Sequence, residues 1–125
     1  MPGRLVIFVY GTLKCGLIRA HFLEGQLYPG VARSLPKYRM YNCGTYPGLQ
    51  ASENGLSIIG ELWAVDHACL ARLDQEECLN VGLFARQAIE MDSPLLEFVS
   101  RPVIEAYFYL RSVAGFPDCG AEWGD

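Results

Sequence analysis

The apolar positions of the chain fall mainly into short runs that predict β-strands. The run 5–10 is continuous and rich in strand-forming residues, which indicates a central strand covered on both faces. Further strands are predicted at 27–35, 38–43, 57–65, 83–91, 95–99 and 103–110. Turns are predicted between them at Pro36–Lys37 and Ser93–Pro94. Gly60, inside the 57–65 run, indicates a bulge or a close approach by other backbone.

Helical periodicity is clearest at 67–79. Asp66 is a favourable N-cap, and Leu70, Leu73 and Glu77 follow at helical spacing. A shorter helix is predicted at 17–24, closed by Gly25. The glycine- and proline-containing stretch 42–55 is predicted to be a loop that shapes part of a site. Many strands with two helices favour an α+β domain with a strongly curved sheet or small barrel.

Composition narrows the classes of function. A chain of 125 residues, 51% of them apolar, is expected to form a single globular domain over 1–125. The net charge of -4 argues against a nucleic-acid or anionic-membrane partner. The longest apolar run is too short to cross a bilayer or to form a signal-peptide core, so we expect a cytoplasmic protein. No pattern indicates an oligomeric state.

The metal-ligating residue types are few and scattered. Five cysteines occur without a C-x-x-C pair, and only two histidines accompany them. This set predicts reduced thiols, most of them buried, and no protein metal site.

The stretch "IFVYGTLKCG" (7–16) ends a predicted strand in a glycine loop. The spacing from Gly11 to Gly16 matches a phosphate loop, but Leu17 and Ile18 stand where lysine and a hydroxyl residue are needed, so a nucleotide site is excluded. Two interpretations stay open for these residues alone. Their backbone N–H groups form a nest for a carboxylate, or the loop is an ordinary turn.

Glu77 and Arg86 are the two charged residues with candidate roles. Glu77 shares the helix face of Leu70 and Leu73, and an apolar environment disfavours the ionised carboxylate, as a general acid/base requires. The alternative, which the pattern alone favours, is that Glu77 turns to solvent near the helix end. Arg86 follows on a predicted strand, where it either pairs with a carboxylate or is a surface arginine.

Taken in order, the strings "VYGTLK", "YPG", "GELWAVD" and "LARLDQEE" and an aromatic-x-Arg resemble the gamma-glutamylcyclotransferase-like family over about residues 5–109. This family includes the gamma-glutamylamine cyclotransferases and the deglutamylating enzyme of butirosin biosynthesis. The resemblance implies a small mixed β-barrel flanked by about two helices. It also implies a metal- and cofactor-free release of 5-oxoproline and an amine from a γ-glutamyl amide.

The resemblance carries roles to particular positions. The catalytic glutamate of the family falls on Glu77. The substrate-binding residues of the family fall on Tyr10, Gly11, Thr12 and Leu13, whose backbone amides hold the α-carboxylate. The arginine of the aromatic-x-Arg, also assigned to substrate binding, falls on Arg86.

The chain departs from the family pattern at two positions. Cys78 replaces the glycine after the glutamate, and Phe84 replaces a tyrosine, with Arg86 about one residue further along than usual. Because of these departures, a second hypothesis stays open: a non-catalytic protein on the same fold that binds small carboxylates or has a regulatory role. A third hypothesis is that Cys15 or Cys78 is a nucleophilic or redox-active thiol.

Overall fold

The computed structural model of the protein describes residues 4–11, 25–43, 47–76, 82–93 and 104–122. Its elements, in chain order, are β1 (Arg4–Val9), β2 (Leu27–Ser34), β3 (Tyr38–Asn42), β4 (Pro47–Ala51), β5 (Ile59–Asp66), α1 (His67–Glu76), β6 (Phe84–Ala88), β7 (Met91–Ser93) and β8 (Ile104–Tyr109). The predicted helix at 17–24 and the predicted strand at 95–99 lie outside the described residues.

β1 is a central strand, as its unbroken apolar run predicts. The six-stranded sheet has the order β6-β8-β1-β5-β2-β7, in which β1 and β8 are parallel and the other pairs are antiparallel. Successive side chains of a strand point to opposite faces, and both Ile7 and Phe8 are buried. The mixed sheet is therefore covered on both faces at its centre.

The sheet curls into a half-barrel, and the connection from β6 to β7 shows why. These strands lie at opposite edges of the sheet, yet only Ile89 and Glu90 join them. Two linking residues span roughly 10 Å, so the two edges must come close together. The α+β class with a small mixed barrel is confirmed, with one helix among the described residues. The strand predicted at 83–91 is confirmed over Phe84–Ala88 but ends earlier than predicted, because the chain crosses to the other edge of the sheet at Ile89 and Glu90.

The loop predicted at 42–55 is also wrong, since this stretch contains β4. The strand pairs with β3 from Asn42↔Pro47 to Tyr38↔Ala51. Pro47 is its first residue, a position where proline is tolerated in a strand. At Gly48 a Cβ would lie 2.9 Å from Cys43 Sγ and from the Tyr109 ring, so glycine here marks close packing.

Gly60 marks a close approach, as predicted. A side chain at this position would meet the backbone oxygen of Val9 and the ring of Phe8, so β5 and β1 leave no room for one. β5 also pairs with β2, and the register of that pair shifts between Leu27 and Gly30 of β2.

α1 begins where the sequence predicts and packs with its apolar side on the sheet. The Asp66 carboxylate accepts a hydrogen bond from the Cys69 N–H at 2.8 Å, which confirms the N-cap. Leu70 and Leu73 are buried in the cluster between helix and sheet. The remaining members of that cluster are Ile7, Val9, Val65, Cys69, Phe84, Tyr107 and Tyr109. The opposite face of β1 packs in a second cluster with the β3–β4 hairpin.

Replacing Asp66 with alanine is expected to lower the free energy of unfolding by about 1 kcal/mol, because the Cys69 N–H loses its acceptor at the helix start. Urea denaturation followed by circular dichroism measures this loss. Asp66→Asn, which keeps an oxygen acceptor, is the control and should lose less. Equal stability of the alanine variant and the parent would contradict a capping role.

Candidate active site

The end of β1 and the second half of α1 meet at one edge of the sheet, the edge that the strand ends form where β1 finishes. β5 runs antiparallel to β1, with Asp66 opposite Arg4, so α1 starts at the far end and runs back toward the end of β1. The parallel register of β8, with Ile7 beside Glu105, brings Tyr107 level with Val9. Tyr10 and Gly11, which follow β1, and the last described residues of α1 are thus directed to the same edge.

Tyr107 contacts both sides of this edge. Its backbone oxygen accepts a hydrogen bond from the Tyr10 hydroxyl at 2.5 Å. Its own hydroxyl donates to Asp74 Oδ1 at 2.7 Å. Tyr10 and Tyr107 are both buried. One residue of β8 therefore connects the start of the glycine loop to the helix that leads to Glu77.

Arg86 lies in β6 beside this contact and is bound by two carboxylates. Its Nε and Nη2 donate to the two oxygens of Asp74, each at 3.0 Å. Its Nη1 donates to Glu105 Oε1 at 2.7 Å. The hydrogen bond to Asp74 is the main reason that the pKa of Arg86 rises above its ordinary value. Of the two interpretations left open for Arg86, the structure shows the pairing with a carboxylate.

A further carboxylate, Glu61, lies near the same edge. It is opposite Val9 in the β1–β5 register and only 9% exposed. Its Oε1 accepts a hydrogen bond from the Trp63 indole N–H at 3.2 Å. Burial of a carboxylate is costly without donors, and the indole supplies one.

Of the predicted carboxylate nest, the structure describes Tyr10 and Gly11. At Gly11 a Cβ would lie 2.8 Å from Pro47 Cγ, so the first residue of β4 packs directly on the glycine loop. Pro47 belongs to the segment 42–55, so part of that segment lies next to Gly11, although as a strand. The role of the segment in shaping a site stays a prediction. Thr12 and Leu13 lie outside the described residues, and so does Glu77. Their roles stay predictions, as does substrate binding by Tyr10, Gly11 and Arg86.

Phe84, one of the two departures from the family pattern, is a core residue. Its ring is buried and meets the Tyr109 ring edge to face, with centroids 5.3 Å apart. A hydroxyl on this ring would enter the apolar cluster under α1, and phenylalanine avoids that cost. The other departure, Cys78, lies outside the described residues.

The described cysteines are reduced thiols without features of a nucleophile. Cys69 is buried, and burial raises the pKa of Cys43 and of Cys119. A raised pKa lowers the fraction of reactive thiolate. The two candidate thiols, Cys15 and Cys78, are not among the described residues.

Metal ligands do not converge in the part of the chain that the structure describes, where no three His, Cys, Asp or Glu side chains could hold an ion. The expectation of a metal-free site includes residues beyond those ranges and stays a prediction. None of the described helices is both long enough and apolar enough to span a membrane.

Asp74, Glu105 and Tyr107 are, with Glu61, residues of this region to which the sequence assigns no role. Asp74 is part of the "LARLDQEE" string but was not assigned a role. Period-two alternation in β8 places Glu105 and Tyr107 on one face, which is a usable signal. It becomes informative only with the pairing Arg86↔Tyr107, which no local pattern reveals.

Comparison with known proteins gives one family. The family model described as "Gamma-glutamyl cyclotransferase, AIG2-like" matches residues 7–123. The chain is 37% identical over 84 residues to the gamma-glutamylcyclotransferase family protein ytfP of Citrobacter rodentium, covering 67% of this chain and 70% of that one. The solution structure of Escherichia coli ytfP superposes with a TM-score of 0.69 at 28% identity, covering 95% of each chain. An AIG2-like protein from Mus musculus has the same fold, with a TM-score of 0.74 at 21% identity over 95% of this chain and 88% of that one.

Proposed function

Because the chain belongs to the AIG2-like gamma-glutamyl cyclotransferase family, we propose that it releases 5-oxoproline and a free amine from a γ-glutamyl amide, with Glu77 as general acid/base. The observation that carries this proposal is the double contact of Tyr107, which binds Tyr10 through its carbonyl and Asp74 through its hydroxyl. These contacts support the proposal because they link Tyr10 to Asp74, and each of these residues is close in sequence to a segment that the reaction needs.

The substrate binds in this proposal with its α-carboxylate on the backbone amides of the glycine loop, residues Tyr10, Gly11, Thr12 and Leu13. Backbone N–H groups around a glycine turn suit a small anion. The close packing of Pro47 on Gly11 supports this binding mode, because it restricts the backbone where the loop begins. Restricting a binding segment before the ligand arrives lowers the ordering cost of binding.

The reaction is an intramolecular aminolysis. Glu77 accepts a proton from the α-ammonium, and the neutral amine attacks the γ-carbonyl carbon to close a five-membered lactam. The bond from that carbon to the leaving nitrogen then breaks, and Glu77 returns the proton to this nitrogen. The nitrogen that attacked loses its second proton, which the released amine takes up to leave as an ammonium. Proton transfer by a positioned side chain contributes about 10²- to 10⁴-fold, and folding the glutamyl chain for attack supplies much of the rest. Atoms and charges balance without a cofactor.

A substrate panel tests the activity directly. The purified protein is incubated with γ-glutamyl derivatives of lysine, butylamine and several amino acids, and with glutathione, and 5-oxoproline is measured by mass spectrometry. Release of 5-oxoproline from at least one γ-glutamyl amide is the expected result. Binding of these amides, measured by calorimetry, with no release from any of them would overturn the proposal in favour of a carboxylate-binding protein.

A further inference from the structure

We propose that Asp74, Arg86 and Tyr107 form a positioning unit for this reaction, in which Arg86 acts through Asp74 on α1 instead of contacting the substrate. The inference rests on the proposed function only for the reaction that the unit serves. It reassigns Arg86, for which the sequence resemblance implies a substrate-binding role.

The charges around Arg86 make it a poor site for a substrate carboxylate. Each of its three guanidinium nitrogens donates to a carboxylate oxygen of Asp74 or Glu105. One guanidinium between two carboxylates leaves one net negative charge on the group, which repels a further anion. The α-carboxylate of a γ-glutamyl amide is such an anion, so it is better held by the backbone amides of the glycine loop.

The same contacts fix Asp74 firmly. Its carboxylate accepts two hydrogen bonds from Arg86 and one from the Tyr107 hydroxyl. The paired N–H groups of arginine hold both carboxylate oxygens at once, which restricts rotation of the carboxylate. Arg86 and Tyr107 are directly opposite each other in the β6–β8 register, so a helix residue is bound by a cross-strand pair.

Burial separates this contact from the ion pair of Arg33 and Asp92. The side chains of Arg86 and Asp74 are 24% and 26% exposed, whereas those of Arg33 in β2 and Asp92 in β7 are 54% and 44% exposed. Exposed pairs contribute little because water competes for both partners. The Asp74–Arg86 contact therefore holds α1 to the sheet, and Arg33–Asp92 offers a matched control.

The consequence for the reaction follows from sequence distance. Glu77 comes three residues after Asp74. A general acid/base must lie within about 2.6–3.2 Å of the atom it serves, and an error of about 1 Å can cost on the order of 100-fold in rate. Loosening Asp74 should therefore slow turnover, while binding of the substrate by the glycine loop is retained.

Three conservative variants test the unit by steady-state kinetics, at a temperature where circular dichroism shows each to be folded. Asp74→Asn removes the charge, Arg86→Lys removes the paired donors, and Tyr107→Phe removes only the hydroxyl. Each is expected to lower kcat by about 10- to 100-fold with KM nearly unchanged. The double variant of Asp74 and Arg86 should be no slower than the slower single variant, since both act through one contact. Asp92→Asn, the matched control, should keep the parent kcat.

The kinetics can overturn the proposal. A large rise in KM for Arg86→Lys with unchanged kcat would return Arg86 to substrate binding. Parent-like kcat in all three variants would show that the contact has no role in the reaction.

A second measurement keeps this test separate from that of the proposed function. Alkylation of Cys78 by iodoacetamide, followed on its own peptide by mass spectrometry, reports how firmly the segment after Asp74 is held. The three variants are expected to label faster than the parent, with Asp92→Asn labelling at the parent rate. If the parent releases no 5-oxoproline and the variants still label faster, the proposed function fails and the positioning of α1 stands. If the parent releases no 5-oxoproline and Cys78 labels at the same rate in the parent and the three variants, both the proposed function and the positioning unit are overturned.

Discussion

Replacing Glu77 with glutamine is expected to lower the rate of 5-oxoproline release by about 10²- to 10⁴-fold, because the amide cannot accept the proton of the α-ammonium. Glutamine has nearly the same size and shape, so the fold and substrate binding should be retained. We expect this decrease to appear in kcat, with KM close to that of the parent. KM should change little because the glycine loop, and not Glu77, holds the α-carboxylate in the proposed reaction.

The adjacent residue provides a control for this experiment. Glu76→Gln makes the same chemical change one position earlier, on the helix side that the apolar spacing assigns to solvent. It should keep the parent kcat. If Glu77→Gln releases 5-oxoproline as fast as Glu76→Gln, Glu77 is not the acid/base and another group must move the proton.

The parts of the fold that the sequence predicts are those set by local chemistry. The apolar run of β1, the cap at Asp66 and the close approach at Gly60 each depend on residues whose preferences are intrinsic. β4 was missed because glycine and proline usually mark loops. Here the same residues serve close packing against Tyr109 and Gly11, which are distant in sequence.

The residues of the candidate site also fall into those that local sequence predicts and those that it does not. Glu77 and the glycine loop are each part of a motif within one short segment, so the sequence identifies them as candidates. The contacts of Asp74 with Arg86 and Tyr107 join residues 12 and 33 positions apart, and their meeting depends on strand register. Register is fixed by the whole sheet, so no pattern within one segment specifies it.

Replacing Leu73 with alanine is expected to lower the free energy of unfolding by about 3 kcal/mol, within the 2–5 kcal/mol usual for buried leucines. Leu73 is fully buried between α1 and the sheet, so truncation leaves a cavity that neighbouring side chains only partly fill. Urea denaturation measures the loss. Gln75→Ala, an exposed position two residues along the same helix, is the control and should change stability by less than about 0.5 kcal/mol.

The kinetics of Leu73→Ala connect packing to the proposed reaction. The residue lies directly before Asp74, so a cavity beneath it should loosen the same part of α1 and lower kcat in the fraction that remains folded. Adding Asp74→Asn to Leu73→Ala should then slow turnover less than Asp74→Asn alone slows it, because neighbouring substitutions that act on one element are not additive. Fully additive losses in kcat would show instead that helix packing and the Asp74 contact influence the reaction separately.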